Sequence, residues 1–142
     1  MGCGCLVKYS IYTDANAIQE GFPDSPFNLK KDIKDIDTED LNVIFETIPN
    51  MLKAHGINSP PSIAREYLTE DRRVAWLKIR IEDEVRKKGK SNGYRCIALV
   101  DISNCRIFPL HLYRHSHGES DNISKAASNQ LRKIVDEYNS NI

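Results

Sequence analysis

No stretch of this 142-residue chain approaches the roughly 20 consecutive apolar residues that cross a bilayer, so a transmembrane helix is not expected. The first residues lack a basic segment followed by an apolar core, so a secretory signal is not expected either. Met1-Gly2-Cys3 opens like an acylation signal, but Leu6 stands where the myristoylation pattern needs Ser or Thr. The four cysteines, at 3, 5, 96 and 105, do not form the framework of a disulfide-stapled secreted domain. Cys96 and Cys105 lie in apolar runs and read as small buried side chains. Internal repeats and low-complexity tracts are missing. Net charge is missing too, since 20 Lys and Arg balance 20 Asp and Glu. What remains is ordinary globular composition, 40% hydrophobic and 28% charged, in a length that suits one cytoplasmic domain over residues 1–142. A chain of this size buries roughly two-thirds of its unfolded surface and needs neither disulfide nor metal to fold.

The neutral sum hides an asymmetry. Residues 1–70 carry eleven acids and six bases, a net of −5, and residues 71–142 carry fourteen bases and nine acids, a net of +5. Nine of those bases, against four acids, fall within 71–95. A positive surface is therefore expected around that segment.

Periodicity places the elements. Residues 5–13 are β-branched and aromatic and predict a strand; Gly21, Pro23 and Pro26 mark a loop. Phe27, Leu29, Ile33 and Ile36 fit a short amphipathic helix. A firmer helix starts at a cap on Asp37 or Thr38, runs along Leu41, Ile44, Phe45, Ile48 and Leu52, is bent by Pro49 and ends at Gly56. Residues 63–68 and 74–81 read as strands, the second with Val74, Trp76, Lys78 and Arg80 on one face. Residues 82–93 form a charged loop. Residues 94–101 and 106–113 form a hairpin around Ile102-Ser103-Asn104-Cys105. Residues 115–121 are a loop, and 122–139 a final helix. This order predicts an α+β single domain, an antiparallel-rich twisted sheet with N-terminal helices and a C-terminal helix. The helices are expected on one face and the other face open.

Three segments carry residue types suited to RNA chemistry. Lys78 and Arg80, two apart on a strand face, sit about 7 Å from each other, near the spacing of successive phosphates. Arg86, Lys87, Lys88 and Lys90 form a basic, glycine-bearing loop that fails the phosphate-loop spacing because position 84 is not glycine. Arg95 follows it inside an apolar strand and must face solvent or pair with an anion. Within His111-Leu112-Tyr113-Arg114-His115-Ser116-His117, Tyr113, Arg114 and His115 are fit for stacking, charge neutralisation and proton transfer at a strand end. Metal-free RNA cleavage needs a base for the 2′-OH, cations for the phosphorane and an acid for the 5′-oxygen. Tyr94 and Tyr113 are candidates to stack on bases. Against these stand plainer readings: a solvated strand face, a charged surface loop and half-buried tyrosines. His111, His115 and His117 with Cys105 are a weaker candidate metal set whose spacing matches no named zinc motif, and a Cys–His nucleophile pair is weaker still.

The run Lys78-Ile79-Arg80, then Gly89-Lys90-Ser91-Asn92-Gly93-Tyr94-Arg95, then Tyr113-Arg114-His115-Ser116, then Glu119-Ser120-Asp121-Asn122-Ile123-Ser124 resembles, in order over about 65 residues, the RelE/HigB-type toxins of bacterial toxin–antitoxin pairs. Asn92 stands where that family usually has a second glycine and His115 where lysine is common; residues 1–25 have no clear counterpart. The resemblance implies a ribosome-dependent mRNA endonuclease that uses neither metal nor small-molecule cofactor and is neutralised by a cognate antitoxin protein. It implies Arg80, Lys90 and Arg95 as cations for phosphate and transition state, Tyr113 and Arg114 at the strand end, and His115 as acid or base. Lys78, Arg86, Lys87, Lys88 and Tyr94 would then line the RNA path, and mRNA and the ribosome would be the partners. The alternative is a non-catalytic protein of the same fold that binds nucleic acid or, as in the related ParE group, gyrase.

Overall fold

A computed structural model describes residues 8–82, 93–114 and 123–142. The elements in chain order are β1 (Ser10–Ile11), α1 (Ala15–Gly21), α2 (Leu29–Ile33), α3 (Thr38–His55), β2 (Ile63–Leu68), β3 (Val74–Ile81), β4 (Tyr94–Asp101), β5 (Arg106–Arg114) and α4 (Lys125–Ser140). One five-stranded sheet runs in the order β1-β5-β4-β3-β2. Every pairing is antiparallel except β1 with β5. The chain is thus the α+β domain that the periodicity predicts.

Local chemistry sets the boundaries. Asp14 starts α1, its carboxylate accepting from the amides of Asn16 and Ala17. Asn28 does the same for α2 through Lys31 N–H, and Ser124 for α4 through Ala127 N–H. Asp37 occupies the N-cap of α3 without a side-chain cap hydrogen bond; Glu39 and Asp40 place negative charge in the first turn, where the helix dipole favours it. Pro49 sits inside α3 and offers Phe45 no amide donor. The helix stops at Gly56, whose φ of 77° is a left-handed value that costs glycine nothing.

The N-terminal strand is shorter than predicted: of residues 8–13 only Ser10 and Ile11 pair, and residues 1–7 lie outside the described part. The helix α1 was not expected. Its signal, Asp14 ahead of Ala15, Ala17 and Ile18, is overshadowed by the adjoining β-branched run.

The expectation of one open sheet face fails. Tyr138 of α4 packs on Phe108, and Asp32 of α2 bonds to His111, which puts both helices on the face carrying Trp76, Leu99, Phe108 and His111. The opposite face, with Leu77, Ile79, Cys96, Ala98 and Val100, is fully buried as well. Helix α3 touches β1 and β3 and buries Ile44, Phe45, Ile48 and Leu52, which makes it the cover for that face. All eight residues of β4 are buried in consequence. The apolar run from Cys96 to Val100 within it is the mark of a strand covered on both sides.

Candidate nucleic-acid interface

The strand register decides which candidate residues share a face. Arg80 on β3 lies directly opposite Arg95 on β4, and Arg95 directly opposite Tyr113 on β5. Neighbouring strands lie about 4.8 Å apart, so these three form a row across the sheet. Lys78 is two residues before Arg80 on the same face. Four of the predicted site residues therefore converge at one end of three adjacent strands.

Their exposure differs. Arg80 is exposed, and Lys78 and Tyr113 are half-buried. Arg80 borders a groove of about 260 Å³ with Val43 and Met51 of α3, Ser62 and Glu82. Arg95 is only 2% exposed, and its Nη1 donates to the carbonyl of Tyr94 at 3.3 Å. The row is therefore not an open cationic surface along its length. It presents Arg80 and Lys78 outward and runs inward through Arg95.

Tyr94 and Arg114 belong to the other face. They oppose each other across β4 and β5, with Arg114 Nη2 donating to the Tyr94 hydroxyl at 2.9 Å and the guanidinium 4.8 Å from the ring centre. Tyr94 is buried. The expected base-stacking of Tyr94 and the grouping of Arg114 with Arg95 are thus corrected: the alternation of a strand sends adjacent residues to opposite sides. Arg86, Lys87, Lys88, Lys90 and His115 lie outside the described residues.

The register also brings in a residue the sequence offered only as a metal ligand. A bulge in the β4–β5 pairing falls between the pairs Ile97–His111 and Ala98–Pro109, leaving Leu110 as the extra residue. An extra residue reverses the parity of the strand. His111 consequently shares a face with both Tyr113 and Phe108. Its ring stacks against Phe27 at 4.2 Å with 4° between planes, and against Tyr113 at 4.7 Å and 25°. Nδ1 lies 2.7 Å from Asp32 Oδ2, and the same carboxylate oxygen accepts the Leu112 backbone N–H at 3.0 Å. In the sequence Asp32 is one of five acids between residues 32 and 40. Nothing in the local pattern links it to a histidine 79 residues away.

Among the described residues the cysteine-based alternatives are not assembled. Cys105 lies in the β4–β5 turn, six residues or about 20 Å along the strand from His111. Cys96 opposes Leu112 and so faces away from His111. Burial, followed by the charge of Asp32, pushes the Cys96 thiol up to about 12, where it stays protonated and unreactive. Among the described residues no three His, Cys, Asp or Glu side chains gather as a metal set, and His117 lies outside them. No described helix is long and apolar enough to cross a membrane.

Fold and site together define an α+β protein with a basic and phenolic row at one end of its sheet. No protein-family model matches the chain, and no curated protein or solved structure matches it either.

Proposed function

We propose that this protein grips a ribose-phosphate chain at the Arg80 end of its sheet and cleaves it, as an mRNA endonuclease of the RelE/HigB toxin type. The observation that carries this reading is the register that lines up Arg80, Arg95 and Tyr113 on three consecutive strands, with Lys78 beside them. Cations held on a sheet by backbone pairing need no reorganisation to meet the charge of a pentacoordinate phosphorus. The four sequence segments that resemble the toxin family include Lys78, Arg80, Arg95 and Tyr113 of this row, while Gly89 to Asn92, His115, Ser116 and Glu119 to Asn122 lie outside the described residues. Glycine 93 and Ser124, from two of them, have structural duties that fit: one lets β3 and β4 approach, the other caps α4. In this reading the protein acts in the cytoplasm on ribosome-bound mRNA and is held inactive by a cognate antitoxin.

Purified wild-type protein added to a cell-free translation reaction is expected to arrest synthesis and leave mapped cuts in the mRNA. Arg80→Ala is the first variant to compare, because an exposed arginine can be removed without disturbing the core. It is expected to keep its melting temperature and lose cutting by about 100-fold, the scale of one lost transition-state donor. Folded wild-type protein that makes no cuts refutes the reading.

The burial of Arg95 favours a second reading, in which the same row binds nucleic acid without cutting it. Retained binding of a labelled oligoribonucleotide without any cleavage, or inhibition of gyrase supercoiling, is its signature.

A further inference from the structure

The cluster of Asp32, His111, Phe27 and Tyr113 has the construction of a proton-transfer device. We propose that His111 is the general base of the cleavage reaction and that Asp32 is its positioning residue; this rests on the endonuclease reading above.

Four observations support it. First, Asp32 Oδ2 at 2.7 Å from Nδ1 selects the ring form that carries its hydrogen on Nδ1. That leaves Nε2 with a lone pair, and among the described residues Nε2 has no partner. Second, the carboxylate is itself held, by the Leu112 amide at 3.0 Å and by its place on α2. Third, Phe27 and Tyr113 sandwich the ring from two sides and fix its rotation. A histidine that only filled space would not need a carboxylate at its edge as well as two stacking partners. Fourth, the His111 and Asp32 side chains are 23% and 17% exposed, so the pair is partly desolvated yet reachable from solvent.

Position agrees with role. Tyr113 stacks on His111 and stands opposite Arg95, which stands opposite Arg80. The histidine therefore shares its sheet face with the cationic row, separated from Arg95 by one strand spacing and one residue pair. Among the described residues, the charged and titratable groups that the register and contacts place on the face around His111 are Asp32 from α2, Tyr113 on its own strand, Arg95 on β4 and Lys78 on β3. Its direct cross-strand neighbour, Ile97, is apolar.

The step balances without a metal or a redox partner. Nε2 takes the proton of the ribose 2′-OH, and the freed electron pair forms the bond from the 2′-oxygen to phosphorus. The bond from phosphorus to the 5′-oxygen breaks, and that oxygen leaves with its electron pair and takes a proton from water. The imidazolium, held in place by the Asp32 carboxylate, returns its proton to the hydroxide so formed. The products are a 2′,3′-cyclic phosphate and a 5′-hydroxyl end.

The test compares full-length wild type, His111→Gln and Asp32→Asn for mRNA cleavage in the translation reaction. It also follows affinity for a short oligoribonucleotide, melting temperature, and the rate of cleavage against pH. Loss of a general base lowers the maximal rate by about 10²- to 10⁴-fold. His111→Gln is expected to show that loss with unchanged RNA affinity, and to lose the acidic limb of the wild-type pH profile. Asp32→Asn keeps an oxygen for the Leu112 amide and is expected to lose about tenfold in kcat with KM unchanged. Cleavage by His111→Gln within threefold of wild type, with the acidic limb intact, overturns the assignment and leaves the endonuclease reading standing. Wild-type protein that makes no cuts overturns both. Should His111→Gln fail to fold, Asp32→Asn decides: an undiminished kcat overturns the assignment.

Discussion

Asp101 is a residue whose charge does structural work far from the basic row. It is buried at the end of β4, where its carboxylate accepts from the Tyr138 hydroxyl at 2.6 Å, from the Asn104 amide and side chain, and from Ser103. Burial by itself would raise its pKa, but the bonds from Tyr138, Asn104 and Ser103 outweigh it and hold the carboxyl below the usual range. The linkage follows in sign. A lowered folded pKa contributes stability above the unfolded value near 3.9, and that contribution disappears as pH falls through the folded value. Asp101→Ala leaves the Tyr138 hydroxyl and the Asn104 amide without an acceptor at the turn. It is expected to cost about 2–3 kcal/mol at pH 7 and to lower the melting temperature by about 5–10 °C. The gap between variant and wild type should narrow as melts are repeated below about pH 4. A gap that holds constant down to pH 2 would exclude this account. The same carboxylate explains why the hairpin turn was legible: Asp101-Ile102-Ser103-Asn104 has the residue types that bond back to their own backbone.

At the scale of elements, the contact between the ends of β3 and β4 decides whether Arg80 and Arg95 stay in line. Gly93 sits where any side chain would collide with the Ile81 carbonyl oxygen. Backbone cannot rotate away as a flexible side chain can, so Gly93→Ala must separate the strand ends. The expected cost is about 1–3 kcal/mol, read as a lower melting temperature, with faster amide exchange at the end of β3. Unchanged melting and exchange would show that the close approach is not needed. The bulge at Leu110 is the other element-scale device. Without it, strict alternation from Phe108 would send His111 to the α3 side of the sheet, away from Asp32 and Arg95.

For the whole molecule, charge and burial are arranged on different principles. The acidic first half supplies α1, α2 and α3, and the basic second half supplies β3 to α4. Of the helices that cover the sheet, α3 carries Glu39, Asp40 and Glu46 against Lys53, whereas α2 and α4 each carry one more base than acid, and the exposed Arg80 lies at the end of β3. Ribonucleotide binding at that end should depend on salt. Neutralising about three phosphates with Arg80, Lys78 and their neighbours predicts a slope of about −2 in log affinity against log salt concentration. A slope near zero, from titrations between about 50 and 200 mM salt, would mean that no phosphates are neutralised there.

The sequence by itself determined where most elements lie, because burial on one side of a helix or strand leaves a period of 3.6 or 2 that can be read locally. It placed β3 and β4 residue for residue, the turn at 102–105, and α3 and α4 to within a few positions. Alternation along β3 also put Lys78 and Arg80 on one face before any fold was known. Only the tertiary structure decided what covers each face, that Arg95 is buried while Arg80 is not, and that Tyr94 and Arg114 turn away from the row. It alone brought Asp32 to His111. Alternation says which residues of one strand share a side, but the side itself is fixed by pairing register, by a one-residue bulge and by helices that pack from distant parts of the chain.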